Sequence, residues 1–442
     1  MTCYPPERGK NQHDIVEPCI AKLVEAAMIA TARAVGCSSI SWRKVCWIRV
    51  SLFACLLSGC DDVGHEADVV SIGVWDVYPE QTWTVSEDLR IGDLSGHGPA
   101  AFGDVRCLGV DPMERIWVVD ALSSELRIFQ PDGVFLRVVG GKGVGPSEFQ
   151  HIGDAFPGPG NEIWVEDRSL RRYEVFDTSG NRIGGHRVVI SNMSNAPRAW
   201  TQQGVFVAGD LKMARFYGLV EGQLVPLGRS AEWPERQGDA VPAIRFESTG
   251  EISGSTAARV PFASTGRGFL GSELDYWEAR YIGTDRYVIR RFRLEDSRPL
   301  LTIRHRFDPV AIPDSIRVAA TDSVLRQYTA GGGELVSNFG WRMVPRYYPA
   351  FDDFFLSSDG TVWVRRRFAR GVVGFDVFGP GGQYLGQPTT LGDVTDMDVQ
   401  IITANSIYAI ETDDLGVDYV VKLGISGGAE RTLAHGFLTG CR

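Results

Sequence analysis

The sequence predicts an all-β protein, a six-bladed β-propeller with one amphipathic helical insertion. Two observations predict the blades: a strand-rich unit returns along the chain, and turns rich in Asp, Ser and Gly separate its strands. A third observation, one long segment with helical periodicity, predicts the insertion. The propeller is assigned to residues 69–442, after a targeting segment over 1–59 and a short tether over 60–68.

The repeating unit is clearest around Trp117. Residues 115–120 and 125–129 form short strand patterns joined by a polar loop. The same arrangement returns at 162–167 and at 361–365. One such sheet cannot bury its own faces, so repeats of this length must stack to share a core.

Six units are predicted, each anchored on a large aromatic residue. The anchors are Trp117, Trp164, Phe206, Phe269, Trp363 and Tyr408. Intervals of 47, 42 and 45 residues match a four-stranded blade of about 40–50 residues, whereas intervals of 63 and 94 require insertions. Radial repetition leaves only short, protected sheet edges. A linear β-solenoid is the competing arrangement, and its usually shorter period argues against it.

Two insertions and a closing strand complete the prediction. Residues 230–258 are rich in Gly, Ser, Glu and Pro, which suits a surface loop. Within the second insertion, 310–345, a helix is predicted over 314–330. Its apolar face contains Ile316, Ala319, Ala320, Val324 and Tyr328 and is expected to cap an exposed apolar edge; a catalytic lid is the less favoured alternative. Residues 69–92 are expected to supply the outer strand that closes the last blade.

A family resemblance supports this fold. The run 135–149 ends in Gly145-Pro-Ser-Glu-Phe149 and resembles the junction between blades in NHL-repeat six-bladed propellers. Residues 347–353 and 358–364 resemble the entry to a late blade in exported bacterial members of that group. The resemblance covers residues ~70–425, a span that follows the repeat spacing. It implies the fold and says almost nothing of the ligand, because one fold hosts many functions.

The N-terminal segment predicts export. Basic residues at Arg43, Lys44 and Arg49 precede the short apolar run 50–57, as in a secretory signal. Residues 57–60, Leu-Ser-Gly-Cys, resemble the lipobox of bacterial lipoproteins, which implies lipid attachment at Cys60. The alternative is a plain signal peptide that contains a cysteine. The predicted location is the cell envelope, lipid-anchored and facing the periplasm or the exterior, and residues 1–40 suggest an over-long gene model.

Charge and cysteine content narrow the partners. Residues 1–59 hold 7 Lys or Arg and 4 Asp or Glu, so the remainder has 38 basic and 51 acidic residues, a net charge of −13. This balance gives no electrostatic footprint for nucleic acid. Cys60, Cys107 and Cys441 are the cysteines beyond residue 59. An oxidising compartment permits a bond between Cys107 and Cys441; a buried free Cys107 is the alternative.

No catalytic constellation is evident. The histidines have no close-spaced pair, and Gly-x-Ser-x-Gly is absent. The sequence therefore favours a monomeric module that binds or scaffolds a protein, peptide or glycan partner. The alternative is a metal-assisted lyase or hydrolase with its site at the central channel. Catalytic and metal residues are not assigned, no cofactor is predicted, and calcium is the ion left open.

Candidate ligand-binding residues lie in the loops that follow the anchor strands. They are Asp120, Asp167, Arg168, Arg171, Lys212, Glu273, Arg365, Arg367, Arg370 and Asp413. A solvated rim of mixed charge is the alternative for each of them. The arginines of 365–370 are the most unusual group in an acidic protein, and they could clamp a carboxylate, sulfate or phosphate. They could equally pair with carboxylates of a neighbouring blade.

Overall fold

A computed structural model describes most of the chain after residue 70. The described residues are 71–72, 83–187, 199–209, 213–233, 243–248, 255–330, 333–336, 339–368, 372–391, 394–427 and 438–440. Among them, no helix is long and apolar enough to cross a membrane.

The described chain is almost entirely β structure, in seven sheets with one α-helix. Two strands come first: β1 Ser71–Ile72 and β2 Thr84–Ile91. Antiparallel four-stranded units, which we call meanders, follow. The first contains β3 Val105–Val110, β4 Ile116–Asp120, β5 Glu125–Phe129 and β6 Phe135–Gly140. The second contains β7 Ile152–Pro157, β8 Ile163–Asp167, β9 Arg172–Phe176 and β10 Arg182–Arg187. The third contains β11 Ala199–Trp200, β12 Phe206–Gly209, β13 Met213–Val220 and β14 Gln223–Glu232.

The second half of the chain continues this pattern around an inserted helix. A hairpin, β15 Ala243–Ser248 and β16 Ser255–Arg259, precedes the fourth meander. That meander contains β17 Arg267–Leu270, β18 Asp275–Tyr281, β19 Arg286–Arg293 and β20 Pro299–Arg306. The helix α1 Asp314–Ala330 and the strand β21 Gly333–Leu335 follow. The fifth meander contains β22 Asp353–Leu356, β23 Val362–Arg367, β24 Val373–Phe378 and β25 Tyr384–Gly386. The last strands are β26 Thr389–Leu391, β27 Asp398–Ile402, β28 Ser406–Thr412, β29 Asp418–Ser426 and β30 Leu438–Thr439.

The sixth meander joins the two ends of the described chain. Its first three strands are β27, β28 and β29, and its fourth is β2, which pairs antiparallel with β29. This pairing confirms the closing strand expected within residues 69–92. The short strand β1 instead pairs parallel with β20 of the fourth meander.

Each meander shares an apolar core with the next one. Five clusters of buried side chains each join one consecutive pair of meanders, from the first and second to the fifth and sixth. A further cluster joins the sixth to the first, with Tyr408 packed near Leu108 and Val118. This arrangement buries both faces of each sheet, which the repeat pattern required.

The aromatic anchors occupy the second strand of their meanders, with one correction. Phe269 lies in β17, a first strand, and the equivalent second-strand residue is Trp277 in β18. The indole N–H of Trp277 donates to the Asp275 carboxylate at 2.8 Å. Trp164 donates in the same way to Glu162, two residues earlier, at 2.9 Å. Trp363 donates likewise to Thr361 at 2.9 Å, so an acceptor lies two residues before the second-strand Trp in three meanders, whereas Trp117 donates to Asp111 at 3.3 Å.

The junction predicted at 135–149 is an ordered turn. The backbone N–H of Phe149 donates to the Gly141 carbonyl at 2.8 Å, and the Gly145 N–H donates to the Glu148 carboxylate at 2.8 Å. Gly140 has a φ of 94°, and a Cβ there would lie 2.9 Å from the buried Phe149 ring. Glycine at 140 thus satisfies both the backbone conformation and the close approach of the ring.

The two insertions form one accessory unit. Residues 243–248 and 255–259 are strands rather than the predicted surface loop, and β15 also pairs with β21. The helix extends over the predicted residues, but its predicted apolar face is partly wrong. Ile316 is exposed, whereas Arg317 and Thr321 are buried. Arg317 turns inward because its guanidinium donates to the Val344 carbonyl at 2.6 Å and stacks on Trp341.

Candidate functional site

One end of the meanders carries most of the charged side chains singled out by sequence. Consecutive strands run in opposite directions, so turns after second strands and connections to the next meander lie at the same end. We call it the connection end. Both parts of the accessory unit emerge there, since β15, β16, α1 and β21 all follow fourth strands.

The first strands of three meanders lie around one segment. The strand β30 pairs with β3 and also contacts β7 and β27. The first strand of every meander begins at the connection end. In the fourth, fifth and sixth meanders this strand begins with a charged residue: Arg267 in β17, Asp353 in β22 and Asp398 in β27.

Arg365 and Arg367 join these residues in an arginine–carboxylate cluster. We define the cluster as Arg267, Asp352, Asp353, Arg365, Arg367 and Asp398. In the register of β22 and β23, Asp353 lies opposite Arg365. The Arg365 guanidinium donates through Nη2 to the carbonyls of Val394 at 2.9 Å and Thr395 at 2.8 Å. It therefore ties the fifth meander to the connection that leads into the sixth.

The cluster is partly withdrawn from water. Burial raises the pKa of Asp352 above its ordinary value, against the opposing charges of Arg365 and Arg367. Burial also lowers the pKa of Arg365, an effect that the carboxylates of Asp352 and Asp398 partly offset. Both directions mean that desolvation outweighs the local charge pairing.

Arg365 retains one unused donor. Its Nε is buried and has no hydrogen-bond partner among the residues that the structure describes. The neighbouring Arg367 places its guanidinium over the Tyr348 ring, 4.8 Å from the centroid. Two guanidinium groups at the connection end, one of them with a free N–H, form an arrangement suited to a planar anion.

Two predicted carboxylates are structural supports in this fold. Asp120 is fully buried, accepts the backbone N–H groups of Gly103 and Leu122, and pairs with Arg127 at 3.1 Å. Asp167, at the equivalent position of the second meander, is also fully buried and accepts the N–H of Gln150 at 2.8 Å. Each side chain holds its turn and the incoming connection together. Ligand contact by either residue stays a prediction.

Three further candidates lie in turns at the connection end. Arg168 pairs with Asp154 at 3.0 Å and with Glu166 at 3.4 Å. Arg171 is exposed and has a φ of 52°. Asp413 accepts the N–H groups of Leu415 and Val417 within its own turn, at 2.9 Å each. None of the contacts described here joins these three residues to the arginine–carboxylate cluster.

Glu273 lies at the opposite end. It is in the turn between β17 and β18, a first and a second strand, and pairs with Arg291 at 2.6 Å. The sequence analysis grouped Glu273 with the other candidates because it took Phe269, which lies in a first strand, as a second-strand anchor. Lys212, Arg370 and Cys60 lie outside the described residues.

Sequence reasoning missed a second polar cluster, centred on the carboxylate of Asp376 in β24. Asp376 is 0 % exposed and accepts five hydrogen bonds from four side chains. The donors are Tyr287 at 3.0 Å, Tyr384 at 3.1 Å, Gln387 at 2.9 Å and two nitrogens of Arg366 at 2.5 and 3.4 Å. His305 Nε2 lies 3.6 Å from the same carboxylate. We call this set the Asp376 network.

The Asp376 network joins the fourth meander to the fifth. Burial alone would raise the pKa of Asp376, but the Arg366 charge and the hydrogen bonds hold it below its ordinary value. Burial lowers the pKa of His305 and raises that of Tyr287. The network has acid–base side chains, yet its central carboxylate is fully enclosed and saturated with donors. Its geometry serves packing between meanders.

A repeat signal could have located this network. Asp376 lies opposite Val364, the residue after Trp363, and Arg127 and Glu174 occupy the same position in the first and second meanders. All three are buried charges in a third strand. Each has an opposite charge beside it: Arg127 pairs with Asp120, and Glu174 with Arg182 at 2.5 Å.

Within the described residues, no group of three or more His, Cys, Asp or Glu side chains is arranged to hold a metal ion. The arginines and carboxylates of the arginine–carboxylate cluster can bind and orient charged groups.

Comparisons with known proteins give a fold likeness alone. No family model matches the chain, and no curated protein matches it. Solved structures of β-propeller folds are similar to it at low identity.

Three such structures illustrate the range. A protein from Bacteroides fragilis thought to be exported has a TM-score of 0.40 at 13 % identity, covering 80 % of this chain and 98 % of its own. Virginiamycin B lyase from Staphylococcus aureus has a TM-score of 0.39 at 10 % identity, covering 77 % and 99 %. The calcium-binding protein regucalcin from Agrobacterium tumefaciens has a TM-score of 0.32 at 11 % identity, covering 79 % and 98 %. With TM-scores below 0.5, none of these likenesses bears on the ligand or on the chemistry of the site.

Proposed function

We propose that this chain is a closed six-bladed β-propeller that acts as a binding module in the cell envelope. Its ligand is a protein, peptide or glycan partner that presents a carboxylate, sulfate or phosphate group. The arginine–carboxylate cluster at the connection end receives that group. The protein works as a monomer without a cofactor.

The observation that carries the proposal is the unused Nε of Arg365. A buried donor without a partner costs about 1–3 kcal/mol, and this one lies beside a second arginine at the end where the connections converge. An anion that accepted this N–H would remove the cost and neutralise charge that burial already disfavours. Arginine is suited to this task because its planar donors match the oxygens of such groups.

Two further features support a recognition surface at this end. The accessory unit adds a three-stranded sheet and a helix with a separate apolar core that includes Ile244, Phe246 and Val344. Loops and insertions on a rigid scaffold are where binding residues concentrate. The cyclic succession of six shared cores supports a closed ring as that scaffold.

The alternative function, a metal-assisted lyase or hydrolase, has less support. The described residues hold no set of side chains arranged for the required ion. No observation at the connection end favours it over binding.

Replacing Arg365 with Gln should weaken anion binding by about 10- to 100-fold, since a hydrogen bond to a charged group contributes about 1.5–3 kcal/mol. The probes are a poly-glutamate peptide, a polygalacturonate and a sulfated glycan, each titrated against the full chain by calorimetry. Arg367→Gln should weaken binding of the same probe, and high salt should weaken it further.

Arg229→Gln is the matched control. Arg229 is an exposed arginine of β14, in the third meander, and pairs with Glu295 at 2.9 Å. Glu295 lies in the turn between β19 and β20 of the fourth meander. This change removes one positive charge and should leave binding unaltered. If Arg365→Gln lowers the melting temperature and binding falls only in proportion to unfolded protein, the arginine is structural. Failure of all three probes to bind would end the proposal.

We also propose that Cys60 carries the membrane anchor. The lipobox-like residues 57–60 and the basic, apolar segment before them support this. Cys60→Ser is expected to move the protein from the membrane fraction to the soluble fraction or to stop its processing. Fractionation followed by immunoblotting measures this, and a processed, membrane-bound Ser variant would contradict the anchor.

A further inference from the structure

Arg365 is surrounded by carboxylates that it does not bond. Asp353 lies opposite it in the register of β22 and β23, and the chain reaches Asp398 three residues after Thr395. The Asp398 charge is close enough to oppose the fall in the pKa of Arg365. In the part of the chain that the structure describes, the hydrogen bonds of the Arg365 guanidinium nevertheless go to backbone carbonyls, and none goes to a carboxylate. Because a carboxylate is the stronger acceptor for a guanidinium, the nearby carboxylates are held in other directions.

Gln400 is the side chain that holds Asp398. Its carboxamide Nε2 donates to Oδ2 of Asp398 at 2.7 Å. Both residues lie in β27, where the pairing with β28 shifts register between Val399 and Ile401 and leaves Gln400 in a bulge. A bulge re-aims the side chain that it contains. Here the Gln400 carboxamide turns toward the carboxylate two residues earlier.

The C-terminal strand fixes the position of Gln400. Gly440 directly follows β30, is buried, and donates its N–H to the Leu108 carbonyl of β3 at 2.9 Å. A Cβ at position 440 would lie 2.5 Å from Cβ of Gln400 and 2.6 Å from its Oε1. Because the Gly440 backbone is so close, Gln400 has little room for another rotamer, and its carboxamide stays on Asp398.

Burial of the Gln400 carboxamide is only partly compensated. Gln400 is 7 % exposed, and its Oε1 has no hydrogen-bond partner among the described residues. A buried acceptor without a partner is unfavourable. A side chain without polar atoms would pack there with no unmet acceptor. The favourable contribution of the carboxamide is therefore its N–H on Asp398.

We propose that Gln400 is a positioning residue that keeps Asp398 from pairing with Arg365, and so keeps the guanidinium free for the anionic group of a ligand. This inference rests on the function proposed above. It makes Asp398 an internal competitor of the ligand. Without the Gln400 N–H, the Asp398 carboxylate can turn and accept from the unused Nε of Arg365. An entering carboxylate, sulfate or phosphate then has to displace it.

Gln400→Met tests the competition, because it removes the N–H and keeps an unbranched side chain of similar length beside Gly440. The probe is whichever of the poly-glutamate peptide, the polygalacturonate and the sulfated glycan the wild type binds most tightly, titrated by calorimetry. Gln400→Met should weaken its binding by about tenfold, as one competing hydrogen bond to a charged group does. Adding Asp398→Asn should restore binding to that of Asp398→Asn alone, because a neutral carboxamide competes poorly for a guanidinium.

Two results of this cycle would overturn the inference. Equal weakening by Gln400→Met in the wild-type and Asp398→Asn backgrounds would show that Gln400 acts through packing alone. Wild-type affinity of Gln400→Met would show that Gln400 does not restrain Asp398. Gln400→Leu, which also removes the N–H, takes the place of Gln400→Met if that variant does not fold.

A second measurement needs no ligand. In the full chain labelled with arginine enriched in the NMR-active nitrogen isotope, the Nε–H signal of Arg365 is assigned by its loss in Arg365→Gln. Gln400→Met should shift this signal and slow exchange of its proton with water, because a carboxylate now accepts it. Adding Asp398→Asn should reverse both changes. An unchanged signal in Gln400→Met would overturn the inference whether or not a probe binds. Failure of the wild type to bind any probe, with the signal shifted as expected, would refute the proposed function and support the restraint on Asp398.

Discussion

Asp376→Asn is expected to lower the free energy of unfolding by about 3–5 kcal/mol, the usual effect of removing one partner of a buried ion pair. Asparagine keeps the shape of the side chain but leaves the Arg366 guanidinium buried with no counter-charge. The hydroxyls of Tyr287 and Tyr384 would then compete for a single neutral acceptor. Denaturant unfolding followed by tryptophan fluorescence measures the change.

Asp296→Asn provides a matched comparison. Asp296 is an exposed carboxylate that pairs with Arg293 at 3.6 Å, and loss of such a surface pair costs about 0–1 kcal/mol. The double variant Asp376→Leu with Arg366→Met removes the whole charge pair, which is often nearly neutral, but leaves the hydroxyls of Tyr287 and Tyr384 without their acceptor. It should therefore recover only part of the stability lost in Asp376→Asn. Wild-type stability of Asp376→Asn would mean that the network is not enclosed in solution.

The fold was largely predictable because each repeat has a recognisable local sequence pattern. Alternating strands with Asp, Ser and Gly turns recur along the chain, and a helix signal at Pro313-Asp314 begins a helix with the predicted bounds. Local patterns cannot show which element a strand joins. The pairing of β15 with β21 connects residues almost ninety positions apart, with Phe246 opposite Leu335, and no short-range signal marks it.

The helix shows why burial is harder to predict than secondary structure. Its apolar residues alone placed Ile316 on the covered face, but the structure covers Arg317 instead. An arginine can be buried where acceptors meet its donors. The Asp314 carboxylate accepts from Nη1 of Arg317, and the carbonyls of Val344 and Arg342 accept from its Nε and Nη2. Arg342 and Val344 lie in a segment that follows the helix by more than ten residues, so these two acceptors are tertiary partners.

The candidate site was predictable in composition and not in arrangement. The unusual arginines at 365–367 were recognised as a group, yet they face different neighbours. Arg365 and Arg367 share one side of β23, whereas Arg366 faces the other side and pairs with Asp376. Asp352 and Arg267 were not singled out, because they precede or begin first strands and reach the cluster only through packing of the fourth and fifth meanders.

Val85→Asp is expected to lower the free energy of unfolding by more than about 4 kcal/mol, as burying an unpaired charge in an apolar core does. Val85 is 1 % exposed in β2, the fourth strand of the sixth meander, and packs in the core shared by the fifth and sixth meanders. Ile91 of the same strand lies in the core shared by the sixth and first. Displacing β2 therefore opens two cores at the junction of the chain's ends.

Val138→Asp is the control, since Val138 is 39 % exposed in β6, the fourth strand of the first meander. That change should cost no more than about 0.5 kcal/mol. Guanidinium unfolding of both variants measures the difference, and comparable stability of the two would show that the N-terminal strand does not complete the sixth meander in solution.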